Sequence, residues 1–166
     1  MSGPPADRPR MPRSYGILAP EEGSGLAAWA HVDARVTGAR NYWVGTTGPD
    51  GRPHAMPVWG VWMDGRLHFA TDRHSKKARN LAANPACVVH LESGDDVVIL
   101  EGVAEEVADR RRLAAIDDRY VAKYGVRFAE VPGAVSVWGI RPRVAFAWQE
   151  KDFTGSATRW VLGDER

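Results

Sequence analysis

Apolar and polar residues alternate through most of the chain from residue 41 onward, and each alternating run is bounded by residues that favour turns. Residues 41–47 (Asn-Tyr-Trp-Val-Gly-Thr-Thr) read as a strand, Gly48-Pro49-Asp50-Gly51 as its turn, and 54–62 as a long second strand. Asp64-Gly65 is a two-residue hairpin signal leading into a strand over 66–71. Further strands are predicted over 86–92, 95–107 with Gly102 as a bulge, 134–140, 143–148 and 158–162. Helical spacing is confined to three stretches. Leu26, Trp29, Ala30 and Val32 follow it between an N-capping Ser24 and Arg35, and Ser75 opens a second helix that Asn84-Pro85 ends. Leu113, Ile116, Tyr120 and Tyr124 share one face of a third helix, capped by Asp109. Strands joined mainly by hairpins, with few helices, predict a mainly β fold: an antiparallel barrel with helices packed at its side. Pro4, Pro5, Pro9, Pro12 and Pro20 crowd residues 1–23, which are expected to form a flexible arm that is disordered or wraps a neighbour, leaving 24–166 as the single domain.

At 166 residues, 44% of them hydrophobic, the chain has the size of one domain with a real core. Twenty-two Lys and Arg face twenty-one Asp and Glu, and a net charge of +1 provides no global field for nucleic acid or an anionic membrane, so any anion site has to be local. Cys87, the only cysteine, excludes an intrachain disulfide and a cysteine zinc cluster and is expected to act as a small buried hydrophobe. His31, His68 and His90 lack ligand spacing, so no structural metal site is expected. No apolar stretch reaches the ~20 residues needed to span a bilayer, and the Pro- and Arg-rich start is unlike a secretion signal, so a soluble, cytoplasmic protein is expected. Seven Trp are many for this length; the core or a subunit interface is the expected place for most of them, and others could wall a pocket for a planar ligand.

Candidate chemistry concentrates in residues 69–81. Lys76, Lys77 and Arg79 stand in the first turn of the helix opened by Ser75, where the helix dipole disfavours cations unless an anion sits among them. With the unpaired N–H groups of that turn and the Ser75 hydroxyl they would make a phosphate cradle. Taken alone, the cluster reads as readily as a solvated basic turn. One hairpin earlier, Pro57 interrupts the strand over 54–62; proline cannot donate to a ladder, so this strand is either an edge or opened locally, and an opened strand offers N–H and C=O groups to a ligand. Together the two features describe a site for a ring with polar edges joined to a phosphate. His54 and His74 lie beside it as candidate substrate or proton contacts, Tyr120 and Tyr124 read as core-edge residues, and no nucleophile is identifiable. Asp95-Asp96, Glu105-Glu106 and Arg110-Arg111-Arg112 read as solvated strand ends and a charged helix face.

The run from residue 54 to 85, with Phe69-Ala70-Thr71-Asp72-Arg73-His74-Ser75-Lys76-Lys77-Ala78 at its centre, resembles the cofactor-binding core of the pyridoxamine 5'-phosphate oxidase-like, FMN-binding split-barrel superfamily. It resembles more closely the flavin/deazaflavin-dependent oxidoreductases of that superfamily. Residues 144–149 and 157–160 resemble the family's C-terminal strands more loosely. The resemblance implies an antiparallel split β-barrel of FMN-binding type and a homodimer with the cofactor between protomers. It further implies that the backbone around Met56, Pro57, Val58 and Trp59 lines the pyrimidine edge of the cofactor ring, and that Ala70 and Thr71 lie beside the ring and its linker. Ser75, Lys76, Lys77 and Arg79 would hold the phosphate, and Trp148 and Arg159 would reach the site from the second subunit.

Two motifs of true pyridoxamine 5'-phosphate oxidases are missing: Arg and Lys at the ends of the strand equivalent to 55–60, and a C-terminal Arg-Leu-His-Asp-Arg pattern. Vitamin B6 oxidation is therefore not expected, whereas the fold and the cofactor class are. The expected activity is hydride transfer from reduced coenzyme F420 to a small unsaturated or heterocyclic substrate, chemistry carried by the cofactor while the protein positions it and excludes water. An FMN-dependent oxidoreductase of the same fold is the first alternative, and a non-catalytic flavin- or haem-binding protein the second. The preference for F420 follows from its carboxylate-bearing tail, because Arg73, Lys76, Lys77 and Arg79 outnumber a single phosphate.

Overall fold

The structure, a computed structural model, describes residues 3–163. Its strands are β1 (Ala6–Asp7), β2 (Tyr42–Thr47), β3 (Pro53–Val58), β4 (Val61–Met63), β5 (Arg66–Asp72), β6 (Ala86–His90), β7 (Asp96–Glu106), β8 (Val135–Gln149) and β9 (Thr158–Val161). The helices are α1 (Trp29–Gly38), α2 (Lys76–Ala83), α3 (Arg110–Tyr124) and the single-turn α4 (Phe153–Ser156). All strand pairs are antiparallel, in the order β1-β9-β8-β7-β6-β2-β3, with β5 on β8 and β4 on β5. One edge of β8 is taken by β7; the other is shared, β5 pairing with 135–140 and β9 with 144–147. β3 and β4 follow each other in the chain yet pair with different strands, β2 and β5. The barrel is therefore split at Trp59 and Gly60 and does not close.

The alternation in β2 buries Tyr42, Val44 and Thr46 and turns the intervening residues outward, as a half-buried strand requires. Tyr42 and Val44 join a main core with Val32 and Val36 of α1, Ala78 and Leu81 of α2, and Leu67 and Phe69 of β5. A second core forms where α3 lays Ile116 and Tyr120 on Val61, Met63 and Val137. Asp64 and Gly65 have φ of 53° and 68°, the double positive φ of a tight hairpin turn. The expected bulge at Gly102 is present as a register shift between Glu101 and Gly102, and a Cβ there would lie 2.2 Å from Arg141 O.

The structure corrects several expectations. Residues 54–62 are two strands, not one. The two strands expected over 134–148 are one, because Pro142 falls opposite Gly102, where the bulge has already interrupted the ladder. α1 begins at Trp29 after Ala28, which provides no side-chain cap; Ser24 Oγ instead donates to Gly155 O at 3.1 Å. The segment expected as a flexible arm is tied to the sheet edge, with Ala6 and Asp7 pairing with Trp160 and Arg159. Buried Arg8 holds it there by donating to Ala157 O (2.9 Å), Ala19 O (3.1 Å) and Glu22 O (3.0 Å). Cys87 is half-buried, and burial pushes its thiol up to about 12. Among the described residues, no helix is long and apolar enough to cross a membrane, and no group of three or more His, Cys, Asp or Glu could hold a metal.

Candidate functional site

A cavity of about 340 Å³ opens at the split. Pro57, Val58 and Trp59 line one side and Ala70, Thr71 and Lys77 the other, with Tyr120 of α3 and Val126, Phe128, Val131 and Val135 completing apolar walls. The volume lies within the ~300–1,000 Å³ range of small-molecule pockets.

At its polar end, α2 starts as the sequence requires: Ser75 is the N-cap and its Oγ accepts from Ala78 N at 3.2 Å. Lys77 Nζ donates to Thr71 Oγ1 at 3.1 Å, and Thr71 Oγ1 donates to Ser75 Oγ at 3.1 Å. Ser75 Oγ accepts in both bonds and spends its own O–H in neither, so that hydroxyl can serve as a donor beside the first N–H groups of α2. Lys77 is half-buried, and burial pushes its pKa down with no carboxylate offsetting the shift. Asp72 also lines the cavity, but its Oδ1 accepts from His74 N–H at 2.7 Å. Burial and then the charges of Lys76 and Lys77 hold His54 of β3 below its ordinary value.

The cavity thus gathers Pro57, Val58, Trp59, Ala70, Thr71 and Lys77, with Ser75 joined through Thr71. The other candidates are placed differently. Met56 is exposed on β3, outside the cavity lining. Lys76 is exposed, and Arg79 turns back to donate to His74 O at 2.8 Å. Arg73, counted above among the surplus cations, is engaged by Glu106 at 2.7 Å. Trp148 sits toward the far end of β8, edge-on to Phe153 at 5.6 Å, and Arg159 lies on β9, so neither joins the cavity of its own chain. The opened backbone is also less available than expected: Trp59 O accepts from Tyr120 Oη at 2.5 Å, and Ala70 N–H donates to the same hydroxyl at 3.1 Å. Sequence periodicity puts Tyr120 on the inner face of α3, but only the tertiary fold reveals that its hydroxyl bridges the split.

The sequence model of the pyridoxamine 5'-phosphate oxidase family matches residues 28–149. Among curated proteins, no sequence matches this chain. A solved structure of the conserved hypothetical protein Rv2991 from Mycobacterium tuberculosis is similar at 26% identity and a TM-score of 0.67, covering 76% of this chain and 88% of the other. An F420 reductase is similar at 22% identity and a TM-score of 0.57, covering 68% and 94%. A heme binding protein from Mycobacterium smegmatis is similar at 19% identity and a TM-score of 0.59, covering 75% and 59%. The last two likenesses concern the fold alone. With 28–149 spanning both the split cavity and the Ser75 cradle, the chain belongs to the pyridoxamine 5'-phosphate oxidase family, with its mostly antiparallel, unclosed barrel.

Proposed function

We propose that the cavity holds the ring of a flavin-type cofactor, that the Ser75 cradle holds its phosphate, and that the protein is an oxidoreductase. Lys77 carries this reading. A half-buried ammonium bonded, among the described residues, only to a hydroxyl, at a helix N-terminus, is costly unless an anion joins it. The donors present fit a phosphate: Lys77 Nζ, the Ser75 hydroxyl and the opening N–H groups of α2. The apolar walls fit a planar ring and would exclude water from it. When bound, such a cofactor supplies hydride transfer. Trp59, 41% exposed at the cavity wall, would orient a planar substrate.

Coenzyme F420 is the proposed cofactor in preference to FMN. With Arg73 engaged by Glu106, the support narrows to Lys76 and Arg79, two exposed cations beside Lys77 that suit carboxylates beyond the phosphate. The F420 reductase among the structural neighbours is consistent with this choice, and the heme binding protein is the corresponding support for a non-catalytic role. A homodimer is proposed as well. An open groove of about 790 Å³ on the sheet, with Gly45, Ala55, Val88 and Val103 in its lining, suits a second copy, and Trp148 and Arg159 could reach a cavity only from one.

Side-by-side equilibrium titration with F420 and FMN at low and moderate salt tests the cofactor choice. F420 is expected to bind more tightly and to lose affinity more steeply as salt rises, because its tail charges are exposed and screened over a Debye length of ~8–10 Å. Tighter FMN binding at both salt levels contradicts the choice. Sedimentation of the same loaded protein reads the assembly: a monomer at micromolar concentration with cofactor bound contradicts the dimer.

A further inference from the structure

The gap between β3 and β4 is bridged by side chains of α3. Gly60 N–H donates to Tyr124 Oη at 2.9 Å, while Gly60 O accepts from Tyr124 Oη at 2.8 Å and from Lys123 Nζ at 3.0 Å. Lys123 Nζ also donates to Tyr42 Oη at 2.9 Å and lies 4.9 Å from the Tyr42 ring centre and 5.3 Å from that of Tyr124. The Tyr124 ring in turn stacks on Trp59, with centroids 4.7 Å apart and planes 3° from parallel. Neither Lys123 nor Tyr124 lines the cavity, whereas Trp59 does.

We infer that Lys123 and Tyr124 are positioning residues: they lock the split at Gly60 and set the Trp59 indole as a wall of the cavity. Gly60 is buried, and its N–H and C=O would be left unpaired without them, a cost that favours re-pairing or shifting of the strand. The flat stack then transmits the position of Tyr124 to Trp59. Only the identity of what touches that wall rests on the proposed function; the lock itself does not.

The charge of Lys123 makes the lock readable. Burial lowers its pKa to about 8. The charged and titratable groups around the lock are Tyr42 of β2, Tyr120, Tyr124 and Arg119 of α3, Asp33 of α1, which accepts from Trp62 Nε1 at 2.8 Å, and Arg40, whose guanidinium lies 5.8 Å from the Trp59 ring centre and whose carbonyl accepts from Tyr124 Oη at 2.7 Å. Burial raises all three tyrosines, so they stay protonated at this pH. Between pH 7 and 9, Lys123 is the member of this group that changes charge, weakening its bond to Gly60 O and its pull on the Tyr124 ring.

The test follows Trp59 emission, taken as the difference between the protein and its Trp59→Phe variant, from pH 7 to 9.5. A step with its midpoint near 8, absent from Lys123→Met, is expected. A flat profile, or a step that survives in Lys123→Met, overturns the inference. Independently, Tyr124→Phe and Lys123→Met are each expected to weaken binding of FMN and F420 by about three- to tenfold and to change the emission of the bound ligand, with Lys123→Arg recovering much of the loss. Unchanged affinity and emission in both variants also overturn it. If the unaltered protein binds neither ligand, the proposed cofactor site fails, and the pH profile still decides the lock.

Discussion

Lys77→Ala is expected to weaken binding of F420 or FMN by about ten- to a hundredfold, or ~1.5–3 kcal/mol for one charge-assisted hydrogen bond. The size follows from where the ammonium sits. Lys77 is half-buried and bonded to Thr71 Oγ1, so an arriving phosphate meets a positioned, partly dehydrated charge. Lys76 and Arg79 are exposed, and their alanine variants should cost less, in the range of ~0–1 kcal/mol for solvent-screened pairs. The cofactor-free Lys77→Ala protein should unfold no more easily than the parent, because the variant removes a desolvation cost. Fluorescence titration of the three variants measures the order. Equal losses, or none, return the cluster to a solvated basic turn.

Acidification from pH 6.5 to 4 is expected to remove on the order of 3 kcal/mol of stability through His68 alone. His68 is fully buried on β5, and neither ring nitrogen has a hydrogen-bond partner among the described residues. Burial, then the charges of Arg112 and Arg66, push its pKa down to about 4; Asp64 and the Met63 backbone oppose them weakly. Over this window the unfolded chain binds the proton and the folded chain does not. Stability therefore rises with pH from 4 to 6.5, and is lost in the reverse direction. Replacing the ring by an apolar group removes the titration without leaving a new unpaired atom, so His68→Leu should lose that much less between pH 7 and 4 in urea unfolding. Identical acid losses in the two proteins would falsify this assignment.

What could be read from the sequence was local. Ser75 before Lys76-Lys77-Ala78, Asp109 before α3, Asp64-Gly65 and Gly102 each set backbone geometry within a few residues, and the structure places a cap, a cap, a turn and a bulge there. The misses were long-range. Pro57 signals an interruption within residues 54–62 but not where the strand ends; the break at Trp59 and Gly60 is held by Tyr120, Lys123 and Tyr124, about sixty residues later in the chain. Pro142 looks like a strand boundary until Gly102 on the facing strand absorbs it. The prolines of the first segment suggest disorder, yet Arg8 reaches backbone carbonyls that only the fold brings near. The Ser75 turn was legible for the same reason as the other caps. The apolar walls from Val126 to Val131 were not, since they belong to a connection with no periodicity.

The sharpest measurement varies the ligand rather than the protein. FMN is titrated against riboflavin, and F420 against its phosphate-free deazaflavin core, with the parent protein and with Lys77→Ala. The phosphate-bearing member of a pair should bind the parent about ten- to a hundredfold more tightly, and most of that gap should close in Lys77→Ala, because both changes delete the same charge-assisted contact. Equal affinity for the phosphate-bearing and phosphate-free ligands in the parent protein, or a gap that persists undiminished in Lys77→Ala, contradicts a phosphate held at the Ser75 and Lys77 end of the split cavity.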